Sequence, residues 1–153
     1  MVFSPACSQL IAGFEGFRSK SYPDPASGGE PITIGYGSTH YCDGTKVTLQ
    51  DSPVTQQQGM DMLLCFLNNN VLPNFHQHIT SDITQCMLDS LGSLCYNIGD
   101  TNFDNSNLLK QIDANIQGNT LQPFWETWDH SGGQVVGGLL TRRQKEFAYS
   151  QSC

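Results

Sequence analysis

A chain of 153 residues with 38% hydrophobic and 14% charged residues is long enough to bury a core of its own, and one domain over residues 1–153 is expected. Its net charge of -7, from 7 Lys and Arg against 14 Asp and Glu, argues against nucleic acid and against electrostatic attachment to anionic lipid, both of which need clustered cations. No run approaches the roughly 18 apolar residues of a membrane span, and the N-terminus lacks the basic start and long apolar stretch of a signal peptide, so any export is expected to use another route.

Leu10, Phe14 and Phe17 stand at helical spacing and predict a short first helix ending at the Ser21-Tyr22-Pro23 break. Residues 22 to 49 carry the Pro, Gly, Asp and β-branched residues of a small antiparallel hairpin sheet. Ile32 to Tyr36 is its best strand and Gly28-Gly29 its turn. From Ser52 the pattern becomes helical, with Ser52 as cap and Pro53 in the first turn. Met60, Leu63, Leu64, Leu67 and Val71 form one stripe of a long helix linking two lobes. Ile83 to Tyr96 predicts a further helix, with Met87, Leu91, Leu94 and Cys95 inward, before the break at Asn97-Ile98-Gly99. Leu108, Leu109, Ile112 and Ile116 mark another. The expected fold class is α+β, with a small antiparallel sheet lobe over about 18–50, a larger helical lobe over about 52–153 plus the N-terminal helix, and a cleft between them.

Three residues near the N-terminus have the outline of a glycosidase site. Cleaving a glycosidic bond needs one protonated carboxyl to donate to the leaving oxygen and a second group on the opposite face of the sugar. Glu15 is the natural acid: Leu10, Ile11, Phe14 and Phe17 surround it in sequence, and partial burial on the inner side of the helix is expected to raise its pKa. Asp24, between Pro23 and Pro25 in a polar turn, is expected to stay ionised. Thr33 adds a hydroxyl. Taken singly, a Glu before Gly reads as a solvated helix end and an Asp between prolines as a turn former. Together with Tyr22 and with Ile34-Gly35-Tyr36-Gly37 directly after Thr33, they do not read as coincidence.

This stretch resembles the phage-type lysozyme family, the endolysin muramidases of glycoside hydrolase family 24, whose signature is Glu-Gly, then Tyr-x-Asp, then Thr-Ile-Gly-x-Gly. Asn97-Ile98-Gly99 is a second match, and Gly138-Leu139-Leu140-Thr141-Arg142-Arg143-Gln144-Lys145-Glu146 resembles the family's Gly-Leu-x-x-Arg-Arg-x-x-Glu. The resemblance implies a lysozyme-like fold and an endo-muramidase that cleaves the bond between N-acetylmuramic acid and N-acetylglucosamine without a cofactor. It carries onto Thr33 the role of positioning the attacking water beside Asp24.

Candidate groove residues beyond these three are Tyr36, Asn97, Phe103, in the loop after Gly99, and Arg142. Each also has a structural reading, as core, helix C-cap, packing anchor and partner of an internal carboxylate respectively. Trp125 is expected in the core, whereas Trp128 is open between core packing and stacking on a sugar. The chain departs from the family in three places. Ser38 stands where members often have His, with His40 two positions later. The Ala26 to Pro31 loop is longer than in compact members, and the charge is acidic where many lysozyme-like enzymes are basic. Arg18, Lys20, Arg142, Arg143 and Lys145 are its few local cations.

Six cysteines allow up to three bridges. Cys7 with Cys153 is the first pairing suggested, because termini often lie close together. Cys65 and Cys95 lie inside apolar helical runs, where a free cysteine serves as a small hydrophobe. There is no Cys-x-x-Cys, and His76-x-His78 projects its rings in different directions, so no metal site is expected.

The expected substrate is bacterial peptidoglycan, met by a monomer that is made in the cytoplasm and acts in the periplasm or on the wall, as a phage endolysin or as a secreted effector with an immunity partner. Two other classes compete. One is a peptidoglycan-binding module with the fold but no activity; the other is a cysteine peptidase or amidase using His40, His76, His78 or His130.

Overall fold

The computed structural model describes residues 1–153. Helix α1 (Pro5–Ala12) starts on Ser4, whose hydroxyl accepts from the Ala6 N–H, and has Pro5 in its first turn. It ends earlier than the Leu10, Phe14, Phe17 spacing suggests. Residues 18–22, expected to finish that helix, instead form strand β1 (Arg18–Tyr22), paired antiparallel with β2 (Thr33–Gly35). The reason is local: Gly13 and Gly16 interrupt the segment, and pairing with β2 satisfies the backbone groups that a longer helix would have used.

Helix α2 (Gln56–Phe66) is capped by Thr55, not Ser52. The Thr55 side chain accepts from the Gln58 N–H and the Gln58 side chain reaches back to the Thr55 N–H, a reciprocal capping box that satisfies two otherwise orphaned donors. Pro53 therefore lies ahead of the helix. A π turn (Leu67–Val71) joins α2 to α3 (Leu72–His78), making the long interlobe rod that the apolar stripe predicted. Leu63, Leu67, Val71 and Phe75 are all buried at intervals of four, longer than the 3.6 residues of an α-helical turn; the π turn absorbs the difference and keeps them on one face.

The helical lobe continues with α4 (Gln85–Ile98), α5 (Asp100–Asp104), α6 (Asn107–Asp113), α7 (Gln122–Glu126) and α8 (Gly137–Ser150), with a short hairpin, β3 (His130–Ser131) and β4 (Gln134–Val135), before α8. Eight consecutive residues of α4, Leu88 to Cys95, are buried between α1 and α8, and Gly92 permits the approach: a Cβ there would come within 2.5 Å of the Phe3 ring. Phe75 stacks on Phe103 and meets Phe3 edge to face in the main core. A smaller core of Ile32, Ile34, Val47 and Met62 fastens the sheet lobe to α2. There Gly35 faces Gly59, where a Cβ on Gly35 would stand 3.3 Å from the Gly59 Cα.

Two disulfides are present, Cys42–Cys65 and Cys86–Cys153. The suggested Cys7–Cys153 pair is replaced, because the C-terminal segment reaches the start of α4 while Cys7 is buried with its thiol against the Asp89 carbonyl. Cys65 is bridged and is no free hydrophobe; Cys95 is free and buried, as its apolar run implied. No helix is long and apolar enough to cross a membrane. Closing 67 residues removes more unfolded-chain entropy than closing 23, about 4 against about 3 kcal/mol. In thermal unfolding, Cys86→Ser is accordingly expected to lower Tm more than Cys42→Ser, and dithiol reduction of the wild type to lower it further than either.

Candidate active site

Glu15 lies just beyond α1, where its N–H donates to the Ile11 carbonyl at 3.0 Å and ties it to the last helical turn. Its side chain is 31% exposed and its neighbour is a guanidinium rather than the apolar wall expected from sequence: Arg142 Nη1 donates to Glu15 Oε1 at 2.8 Å. Arg142 is buried on α8, with its guanidinium 4.7 Å over the Phe14 ring, so it cannot serve as a groove-lining cation. It holds the acid from behind.

What fixes Arg142 is Glu146, one helical turn on and fully buried. Glu146 Oε1 accepts from Arg142 Nε at 3.1 Å, from Arg143 Nη2 at 2.9 Å and from the Ser93 hydroxyl at 2.7 Å. Arg143 Nε faces Glu146 Oε2 at 2.8 Å, a charge contact without the alignment of a hydrogen bond. Burial pulls the Arg143 guanidinium below its ordinary pKa, and Glu146 opposes that pull. Arg143 Nη1 donates in turn to the Asn97 Oδ1 at 3.0 Å and the Trp128 carbonyl at 3.3 Å. The motif at the start of α8 thus forms an ion cluster that braces Glu15 and Asn97 together.

Thr33 opens β2 directly opposite Tyr22, two residues before Asp24, so the hairpin brings the hydroxyl and the carboxylate to one end of the sheet. The Asp24 N–H donates to the Gly29 carbonyl at 2.9 Å, the Gly28 N–H donates to the Asp24 carbonyl at 2.8 Å, and Asp24 Oδ1 accepts from the Ala26 N–H at 3.3 Å. Asp24 is half-buried and has no basic partner. Its partners are the backbone groups of its own loop.

Between the lobes lies a cleft of about 420 Å³ whose walls include Glu15, Thr39, His40, Phe66, Tyr96 and Asn97. Asn97 is the one groove candidate placed there; it lies within α4, not after it. Tyr36 is 7% exposed, packed on Phe17 and Gly59. Phe103 has no exposed surface and belongs to α5 instead of a loop, so it packs the core and touches no groove. Trp125 is buried and Trp128 half-buried against the core. Ser38, at the position of the family histidine, is buried and bridges to Ile34, while His40 bridges to Lys46 and does not fold back into that place. Sequence reasoning missed Phe66 and Tyr96; the signal available was an aromatic on the polar side of the long helix and another immediately before Asn97. A second cavity of about 460 Å³, beside Ile112 and Cys153, contains none of these groups, so the site follows from chemistry and not from size.

The phage lysozyme profile matches residues 12–146. The chain belongs to the phage lysozyme family. It is 34% identical over 152 residues to an endolysin of Bacillus phage PZA, covering 99% of this chain and 56% of that protein, and 30% identical over 147 residues to an endolysin of Acyrthosiphon pisum secondary endosymbiont phage 1, covering 94% and 93%. The chain thus spans about half the length of the Bacillus phage relatives it matches. Its fold superposes on the endolysin from Escherichia coli O157:H7 phage FAHEc1 with a TM-score of 0.81 at 28% identity, covering 99% of this chain and 94% of that one. The lysozyme-like α+β fold expected from sequence is therefore the observed one.

Removing Glu146 leaves two guanidinium groups without their shared buried counter-charge. Glu146→Ala is expected to cost about 3–5 kcal/mol in urea unfolding, whereas Glu15→Gln, at a partly exposed position that leaves Arg142 paired with Glu146, costs less than about 1 kcal/mol.

Proposed function

We propose that the chain is an endo-acting muramidase of bacterial peptidoglycan, hydrolysing the β-1,4 bond between N-acetylmuramic acid and N-acetylglucosamine. The observation that carries this reading is the Glu15 carboxyl, open to the interlobe cleft and held by a buried arginine in a chain of the phage lysozyme family. Glu15 donates its proton to the leaving oxygen as the bond breaks. Arg142 orients that carboxyl and stabilises the carboxylate left behind, from a site already desolvated and preorganised.

Asp24 and Thr33 act from the sheet lobe. The carboxylate stabilises positive charge developing at the anomeric carbon, and with the Thr33 hydroxyl it holds the attacking water. A water held in this way calls for inversion, which requires carboxyls about 6.5–9.5 Å apart. Asn97 contributes to substrate binding from the opposite wall. The wall of the bacterial cell is the place of action, with release from the cytoplasm by a membrane pore or a secretion machine.

The cysteine-dependent alternative has little to stand on. Cys7 and Cys95 are buried, and burial pushes both thiols well above the usual range, the reverse of what a nucleophile needs. The remaining four are in disulfides.

With purified peptidoglycan, the wild type is expected to generate new reducing ends and lose turbidity. Glu15→Gln should reduce the rate by at least about 10³-fold, and Asp24→Asn and Thr33→Ala by about 10² to 10³-fold. A thiol blocker is expected to change nothing; loss of activity on blocking, with Glu15→Gln still active, would contradict the proposal.

A further inference from the structure

Phe66 is the one aromatic side chain in the exposed class, at 42%, and it lines the same cleft as Glu15. Its place is set by two features on either side in sequence. Cys65 is bonded to Cys42, in the segment just after His40, which ties this turn of α2 to the sheet lobe. The π turn begins at Leu67 and turns Leu67 and Val71 into the core, leaving Phe66 outward. The Phe66 ring meets Tyr96 edge to face, with centroids 5.8 Å apart, and Tyr96 is itself held by its hydroxyl donating to the Tyr36 carbonyl at 3.2 Å.

The groups beside Phe66 are polar and directed. Arg143 can only donate, so the Asn97 atom it contacts is the amide oxygen, which leaves the Asn97 NH₂ free as a donor. The His40 Nδ1 is engaged by the Thr39 hydroxyl at 2.9 Å, leaving Nε2 unpaired within the molecule. An aromatic surface beside an amide donor and an imidazole matches a ligand with an apolar C–H face, an acetamido carbonyl and hydroxyls on its rim. An N-acetylhexosamine ring has all three.

Resting on the muramidase reading above, we propose that Phe66 is a substrate-binding platform on which one N-acetylhexosamine of the glycan strand stacks, with the Asn97 amide and His40 Nε2 at its rim. Nothing in the core requires a phenyl group there, so its function is recognition rather than stability. The disulfide keeps the platform and the His40 segment at a fixed spacing.

Binding of a soluble N-acetylglucosamine–N-acetylmuramic acid tetrasaccharide is measured by calorimetry in a Glu15→Gln background, beside peptidoglycan hydrolysis by the otherwise wild-type enzyme. Phe66→Ala is expected to weaken binding by about five-fold or more and to raise KM with little change in kcat, while Phe66→Trp retains binding within about two-fold. The wild type, Phe66→Ala and Phe66→Trp should melt within a few degrees of one another, which separates recognition from folding. Unchanged binding in Phe66→Ala, a Phe66→Trp as weak as Phe66→Ala, or no binding by the Glu15→Gln protein would overturn the proposal. A wild type that binds the tetrasaccharide through Phe66 yet leaves peptidoglycan uncut would instead remove the muramidase reading and keep the platform.

Discussion

Glu146 has no exposed surface, yet two guanidinium groups and a serine hydroxyl converge on it from α8 and α4. A buried ion pair of this kind adds little net stability over an apolar packing of equal volume, because desolvation offsets the attraction. Its value is positional. Arg142 is pinned by Glu146 and by the Ser93 carbonyl, and has one remaining direction, toward Glu15. Arg143 is pinned by the same carboxylate and reaches Asn97. One buried charge therefore sets both the Glu15 carboxyl and the Asn97 amide, although these lie more than eighty residues apart in sequence.

The sheet lobe reaches the same cleft by a different route. Gly35 and Gly59 allow β2 to lie directly on α2, the small core of Ile32, Ile34, Val47 and Met62 seals that contact, and Cys42–Cys65 ties the following loop to the same helix. Asp24 and Thr33 thus ride on a lobe anchored to the interlobe rod, while Glu15 is braced by the helical lobe.

Much of this was legible in the sequence. Leu63, Leu67 and Val71 announced the long helix, and Glu15 stood out by residue type and setting and lines the cleft. What was not legible depended on long-range contacts. The partner of Glu15 is 127 residues away, so local neighbours suggested an apolar setting where a guanidinium stands. Phe103 looked like a loop aromatic because its short helix has only five residues, and its packing on Phe75 is a tertiary fact. The disulfides follow spatial proximity, to which spacing along the chain is blind. The helix start moved from Ser52 to Thr55 because a reciprocal box with Gln58 satisfies more donors than a single serine cap.

The central claim is that the cleft holds a hydrolytic acid acting on a glycosidic bond, and the chemistry of the product tests it most directly. Purified peptidoglycan digested with the wild-type protein, reduced with borohydride and analysed by mass spectrometry, is predicted to yield fragments ending in reduced N-acetylmuramic acid. Fragments ending in 1,6-anhydromuramic acid, in reduced N-acetylglucosamine, or carrying newly freed amino groups with the glycan intact would contradict the account.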